Sequence, residues 1–298
     1  MASSRTLQCM EILGGLGRRE ERIAVPGLEA FLLAEPAPGQ AAGGDVQYAS
    51  MCSAGRISRF AVADVSGHGE EVAHFGLGLR DLMRKFINTP NQERMIRELN
   101  DELGHQLDGG LFATAVVVTW FEPAHQAFVC TAGHPDPLWY SAELDQWMPL
   151  SPSHFRGSGA VENPDLPTNL PLGIIDGTEY EQFTVPVGDG DILVLYTDHY
   201  IEAAAADGSM PGVDGLLAMA RDAPVDDPER FARSLEASIE RHLDGAPIED
   251  DRSLLVIRAD ESNRPHLPLV DRIRGAILSL VPAALDRSQP RRPRGGGA

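Results

Sequence analysis

The chain has 298 residues, with 25 Lys or Arg against 44 Asp or Glu, so its formal net charge at neutral pH is -19. This charge disfavours nonspecific binding to nucleic acid or to an anionic membrane surface. No apolar run approaches the roughly 20 residues that a membrane-spanning helix needs, and the first residues lack the features of a secretory signal. We therefore expect a cytoplasmic protein without membrane insertion and without nucleic acid as a partner.

Two helices are predicted in the first half of the chain, after a series of short strands. The strand-like runs are LEAFLLAE, VQYASMCS and SRFAVADV, which turn-rich stretches separate. Apolar residues then recur at three- and four-residue spacing from Val72 to Phe86 and again from Met95 to Leu107. This spacing is typical of amphipathic helices.

Strands dominate the second half of the sequence. We expect them at ATAVVVTWF, QAFVCTAG, PLWYS, DILVLYTD and SLLVIRA, with a helix near 227–242. A final helix is predicted at 266–283, followed by a disordered Arg-, Pro- and Gly-rich end. Strands, two helices and further strands do not form a βαβ alternation, so the order favours a layered α+β fold. We divide the chain into an N-terminal extension (1–27), a catalytic-size domain (28–260) and a C-terminal helix and tail (261–298).

Acidic residues stand at the ends of several predicted strands. Asp45 precedes one strand, Asp64 and Asp198 each end one, and Asp250 and Asp251 precede the last. Strand ends gathered at one edge of a sheet can hold divalent cations through carboxylates and backbone carbonyls. An Asp beside Gly is also a common turn residue, so a metal site and a set of turns both remain open on the residues alone.

Seven short motifs indicate the family. In chain order they are AGGD (42–45), ADVSGHG (63–69), LFAT (111–114), TAGHP (131–135), LPLG (170–173), GDGDILVLYTD (188–198) and EDDRSLLVI (249–257). Together they resemble the PPM-type phosphatases of the SpoIIE/RsbU branch, bacterial relatives of PP2C, over residues 28–260. The resemblance implies a four-layer αββα sandwich of two antiparallel sheets flanked by helices.

The resemblance also implies a centre for two Mn²⁺ or Mg²⁺ ions. Asp64 matches the carboxylate that bridges both ions, and Val65 would offer its backbone carbonyl. Asp198 and Asp250 match further ligands. Asp45 matches an acid that contacts the metal cluster, partly through water.

Six other residues lie in or beside these motifs without a settled role. Asp251 is expected as an outer partner of the metal ligands. Either histidine of the glycine turns could transfer protons or only orient the backbone, and either threonine could bond a metal-bound water or be structural. The family usually has Gly where this chain has His199, which could crowd the site. The histidines and threonines of these alternatives are His68, His134, Thr114 and Thr197.

The implied reaction is hydrolysis of a phosphoserine or phosphothreonine protein by a metal-activated water. It suits a chain without a GxSxG elbow or a CxxxxxR loop. In this branch the usual substrate is a phosphorylated STAS-type anti-sigma-factor antagonist, in bacterial partner switching. The helices at 71–107 correspond to those that can receive a regulatory partner or form a dimer. Two alternatives remain: a pseudophosphatase that binds a phosphoprotein, and a hydrolase of small phosphoesters.

Overall fold

The computed structural model describes most of the chain up to residue 263. The described residues are 3–8, 11–52, 56–67, 70–86, 89, 91–106, 111–155 and 167–263. His68, the predicted helix at 266–283 and the Arg-rich end lie outside the described residues.

Within these ranges the chain forms thirteen strands and five α-helices. The strands are β1 (Ser3–Thr6), β2 (Ile12–Gly15), β3 (Arg19–Val25), β4 (Leu28–Glu35), β5 (Val46–Cys52), β6 (Ile57–Val65), β7 (Ala113–Phe121), β8 (Gln126–Ala132), β9 (Leu138–Ser141), β10 (Gln146–Pro149), β11 (Gln182–Pro186), β12 (Ile192–Tyr196) and β13 (Arg252–Ala259). The helices are α1 (Glu70–Phe86), α2 (Gln92–Gln106), α3 (His199–Glu202), α4 (Gly212–Arg221) and α5 (Pro228–Leu243).

The strands form two sheets. The first sheet has the order β1-β3-β4-β13-β12-β9-β10, and the second has the order β11-β8-β7-β6-β5-β2. The strand pairs within both sheets are antiparallel, except that β1 and β3 run parallel at one edge of the first sheet. The α+β class and the two largely antiparallel sheets agree with the expectation from the sequence.

An apolar core holds the two sheets face to face. Phe60 and Val62 of β6 point into it from the second sheet, and Leu32 and Leu255 enter from the first. Because successive side chains of a strand point to opposite faces, the residues between them point outward. On β6 this outward set includes Ala61, which packs with the helices.

Helices cover the outer face of each sheet and complete four layers. Leu79 of α1 and Leu99 of α2 belong to the cluster on the second sheet. Phe231 and Leu235 of α5 pack with Phe31 of β4 on the first. These helices are amphipathic because the apolar stripe of each one is buried against a sheet.

The first 27 residues differ from the predicted extension, because they contribute strands to both sheets. The whole of β3 pairs with β4, and β2 pairs with β5. Arg22 of β3 also forms ion pairs with Asp227 and Glu229 at the start of α5. The described sheets therefore continue across the predicted boundary at residue 28.

Most predicted elements have their counterparts, and several short ones were missed. The two predicted helices of the first half correspond to α1 and α2, and the one near 227–242 corresponds to α5. The missed elements are β1, β2, β3, β10, β11, α3 and α4. None of the helices in the described part of the chain is both long and apolar enough to cross a bilayer.

We expect Phe60→Ala to lower the free energy of unfolding by about 3–5 kcal/mol, because it leaves a cavity between the sheets. The Phe60 side chain is 0% exposed. Leu144→Ala is the matched control, since Leu144 is 56% exposed, and it should change stability by no more than about 0.5 kcal/mol. Urea unfolding followed by fluorescence measures both. Equal losses in the two variants would contradict the placement of Phe60 in the core.

Candidate metal centre

The strand-end carboxylates meet at one edge of the sandwich. In the second sheet, the register of β5 with β6 pairs Val46 with Ala63. Asp45 directly precedes Val46 and Asp64 directly follows Ala63, so both acids lie at the same edge of this sheet. In the first sheet, β12 and β13 are antiparallel neighbours, so Asp198 follows one strand where Asp250 precedes the other. The site is thus assembled from both sheets.

Burial and mutual repulsion disfavour the charged forms of Asp45, Asp64 and Asp198. Burial, and then the charges of Asp198 and Asp250, raise the pKa of Asp64 from its ordinary 3.8 to about 8. Burial, and then Asp250, raise the pKa of Asp198 to about 6. Burial, followed by the charge of Asp64, also raises the pKa of Asp45 well above its ordinary value. A divalent cation would relieve this repulsion.

A cleft of about 420 Å³ opens beside Asp198 and Asp250. Its lining includes Asp198, His199, Glu202, Glu249 and Asp250, and the described residues around it contribute no Lys or Arg. The cleft therefore presents oxygen donors of the kind that Mn²⁺ and Mg²⁺ bind.

The fit to a metal pair rests on the chemistry of these donors. No three Asp, Glu, His or Cys side chains among the described residues are placed as ligands of a single ion. The charge of Asp198 nevertheless raises the proton affinity of Asp64 across the gap between the sheets. The donor set suits hard divalent cations, and the assignment of individual ligands stays a prediction.

Asp45 is buried and is held by hydroxyl groups from the other sheet. Its Oδ2 accepts a hydrogen bond of 3.0 Å from Thr197 Oγ1, and Ser253 also bonds its carboxylate. The Ser253 amide in turn donates to Thr197 Oγ1 over 3.0 Å. Gln47 Nε2 donates to Ser253 Oγ over 2.7 Å. Thr197 thus acts on the carboxylate of Asp45, and this network joins the two sheets beside the site.

Asp251 holds the loop that carries Asp45. Its Oδ1 accepts from the Ala37 amide over 2.7 Å, and its Oδ2 accepts from the Gly44 amide over 2.6 Å. A Cβ added to Gly43 would lie 2.1 Å from Asp251 Oδ2, so only glycine fits there. Both carboxylate oxygens therefore accept hydrogen bonds from backbone amides, and the role of Asp251 as an outer partner of the metal ligands stays a prediction.

Val65 lies next to the same loop. A Cβ added to Gly44 would lie 3.0 Å from the Val65 carbonyl oxygen, so this carbonyl faces the loop that ends at Asp45. The role of this carbonyl as a metal ligand stays a prediction.

His134 is buried, and both of its ring nitrogens are engaged. Nδ1 lies 2.8 Å from Thr114 Oγ1, and Nε2 lies 2.9 Å from the Tyr196 carbonyl oxygen. Burial lowers the pKa of His134 to about 4. A neutral ring without a free nitrogen favours a structural role over the alternative of proton transfer.

His199, the departure from the family pattern, begins α3 directly after Asp198. Its ring is 4% exposed and packs edge-on against Tyr200, with ring centroids 5.7 Å apart. Its Nε2 has no hydrogen-bond partner among the described residues. The backbone is helical there, so the histidine causes no left-handed strain, while its ring occupies space at the edge of the cleft.

Sequence reasoning missed Gln47, Ser253 and the Tyr196 carbonyl. The first two are buried polar residues in strands, at 2% and 0% exposure, where the strand pattern alone would place apolar side chains. A polar residue within an apolar strand is the signal that could have identified them. The carbonyl has no signal in the sequence because every residue carries one.

Comparison with known proteins gives a consistent family. A family model described as stage II sporulation protein E (SpoIIE) matches residues 55–260. Phosphoserine phosphatase RsbU of Bacillus subtilis (strain 168) is 23% identical over 199 residues, which cover 66% of this chain and 54% of RsbU. The chain thus spans about half the length of this curated relative.

Solved structures support the fold. The RsbU and RsbW domains of Rv1364c from Mycobacterium tuberculosis superpose with a TM-score of 0.65 at 24% identity, covering 82% of this chain and 63% of that one. RsbX in complex with magnesium gives a TM-score of 0.57 at 15% identity, covering 81% of this chain and 100% of that one.

Without divalent cations, the free energy of unfolding should fall as the pH rises from about 6.5 to 8. Asp64 has a pKa of about 8 in the folded protein against an ordinary 3.8, so the folded state binds more protons in this range. The loss is up to about 1.4 kcal/mol per pH unit for one such group. Urea unfolding in EDTA measures it, Asp64→Asn should flatten the slope, and Mn²⁺ should remove it. A rise in stability with pH in EDTA would contradict the raised pKa of Asp64.

Asp251→Ala should lower the free energy of unfolding by about 2–4 kcal/mol, because two backbone amides lose a charged acceptor. Glu143→Ala, on the exposed turn between β9 and β10, serves as the control and should be nearly neutral. Thermal unfolding at neutral pH compares the two. If Asp251→Ala were as stable as the control, the loop would not depend on this carboxylate.

Proposed function

The chain belongs to the SpoIIE family of PP2C-type phosphatases, and on that premise we propose that it is a metal-dependent protein phosphatase for phosphoserine or phosphothreonine. The observation that carries the proposal is a cleft bordered by carboxylates and, among its described residues, by no Lys or Arg. A phosphate dianion could not approach Asp198 and Asp250 without added positive charge. Divalent cations would supply it.

The proposed ligands are Asp64 between two Mn²⁺ or Mg²⁺ ions, with Asp198, Asp250 and the Val65 carbonyl around them. Asp45 would contact the cluster partly through water. When bound, such ions lower the pKa of a water molecule and neutralise the oxygens of the phosphate. The magnesium complex of RsbX supports the choice of a hard divalent cation.

The protein's own residues orient these ligands. Thr197 and Ser253 hold the Asp45 carboxylate, so it cannot rotate freely. Asp251 fixes the loop before β5 through two backbone amides. Arg252, next in sequence, forms ion pairs with Glu35 and Glu236. The ligands are thus held by neighbours that are themselves hydrogen-bonded, as outer partners of metal sites usually are.

We further propose a phosphorylated STAS-type anti-sigma-factor antagonist as the substrate, in bacterial partner switching within the cytoplasm. The resemblance to the SpoIIE/RsbU branch supports this proposal, as does the similarity to a phosphoserine phosphatase, RsbU. The layer formed by α1 and α2 is the proposed face for a regulatory partner or a second copy. Leu77 of α1 is 40% exposed there.

One observation favours a second function, a phosphoprotein-binding pseudophosphatase. The His199 ring is buried directly beside Asp198 and lines the cleft, in the position where the family usually has Gly. A ring at this place can hinder the entry of a cation or of a phosphate. Binding of a phosphoserine peptide without turnover would identify this function.

Phosphate release from a phosphoserine peptide and from p-nitrophenyl phosphate should require Mn²⁺ and stop in EDTA. Asp64→Asn should lower kcat/KM by at least about 100-fold, since even an outer partner of a metal contributes about 10- to 100-fold. The exposed Glu143→Gln is the control and should keep full activity. Unchanged hydrolysis in Asp64→Asn, or equal rates in EDTA, would contradict the site.

The same assay separates the two functions. A folded protein that binds the phosphopeptide but releases no phosphate in Mn²⁺ would favour the pseudophosphatase. His199→Gly would then gain metal-dependent turnover if the ring is what blocks the site.

A further inference from the structure

A buried histidine joins the two sheets at the edge where the carboxylates lie. His134 follows β8 of the second sheet, and its ring reaches the carbonyl of Tyr196 at the end of β12 in the first sheet, 2.9 Å away. The side chain is 7% exposed. The contact is therefore a hydrogen bond between sheets that is shielded from water.

The partners define one tautomer. A carbonyl oxygen can only accept, so Nε2 of His134 carries the proton and donates to Tyr196. Nδ1 is then an acceptor and receives the hydroxyl hydrogen of Thr114, whose Oγ1 is 2.8 Å away. In this tautomer Nε2 donates one hydrogen bond and Nδ1 accepts one, so both nitrogens of the neutral ring are satisfied.

The two ends of this link stand next to the proposed metal ligands. Thr114 of β7 is the register partner of Asp64 on β6. Tyr196 precedes Asp198 by two residues. The bonded series from Thr114 through His134 to Tyr196 therefore connects the neighbour of Asp64 in one sheet with the strand that precedes Asp198 in the other.

The turn before the histidine is built for this placement. Gly133 has φ +65, and a Cβ there would lie 2.3 Å from Pro171 Cγ. Its amide donates to the Asn169 carbonyl over 2.7 Å. No other residue fits position 133, so the entry of His134 into the space between the sheets is fixed by the backbone.

We propose that His134 is a positioning residue that sets the distance between Asp64 and Asp198, so that carboxylates on different sheets reach the same pair of cations. This inference rests on the proposed function. The apolar contacts between the sheets are non-directional, and they tolerate small shifts of one sheet over the other. Mg²⁺ binds oxygen ligands at about 2.0–2.1 Å, and a directional hydrogen bond at this edge helps to hold the carboxylates at the distances that this requires.

Two substitutions separate the two bonds of the ring. His134→Gln carries an amide at the position of Nε2 and can still donate to Tyr196, but it loses the acceptor for Thr114. His134→Asn carries an oxygen at the position of Nδ1 and can still accept from Thr114, but it cannot reach Tyr196. Both variants shorten or alter the same buried side chain, so a general loss of packing affects both.

The measurement is Mn²⁺ affinity by titration calorimetry on the full chain, with urea unfolding of the same samples. His134→Asn should weaken Mn²⁺ binding at least about tenfold, whereas His134→Gln should bind more tightly than the Asn variant by a similar factor. Equal Mn²⁺ affinities in two folded variants would overturn the inference, whatever their stability. A wild type that binds no Mn²⁺ would instead overturn the proposed function, and the inference with it.

A second measurement needs no substitution. Nitrogen-15 spectra of histidine-labelled wild type should show His134 as the neutral tautomer with hydrogen on Nε2, with and without Mg²⁺. A neutral ring with its hydrogen on Nδ1 would have no donor for the Tyr196 carbonyl, and this result would overturn the inference even if His134→Asn does not fold.

Discussion

Repulsion among carboxylates at one edge of the sandwich is the constraint on which the rest of the structure depends. Asp64 and Asp198 come from different sheets, and burial together with neighbouring acidic charges raises the pKa of both. Such an arrangement costs folding free energy, and a fold keeps it only where surrounding bonds hold it. In a family of phosphatases, a divalent cation bound between these carboxylates would reduce their mutual repulsion.

The surrounding bonds are of two kinds. Between the sheets, buried polar links stand beside the site: one runs from Asp45 to Thr197 and Ser253, the other from His134 to Tyr196. In the loop before β5, the Asp251 carboxylate accepts hydrogen bonds from two backbone amides. The apolar core supplies most of the stability, while these directional bonds decide where the oxygens stand.

Much of the fold and of the candidate site could be predicted from the sequence, and physical reasons explain both what was predicted and what was missed. The spacing of Val72 through Phe86 predicts α1, because a stripe that packs on a sheet must repeat every three or four residues. By contrast, β3 begins with four charged residues, in REERIAV, and this charge favours a solvated extension over a paired strand. The strand-end acids are found through their motifs. The partners Gln47 and Ser253 are not, because a bond between distant strands has no local pattern.

The most direct test of a metal centre shared by two sheets is a crystal structure of the protein with Mn²⁺, with anomalous data collected at the manganese absorption edge. We predict anomalous peaks between Asp64 on one side and Asp198 and Asp250 on the other, with the Asp64 carboxylate bound to both ions if two are present. Peaks bound to one sheet alone, or the absence of manganese from this edge at saturating concentration, would contradict a centre shared by the two sheets.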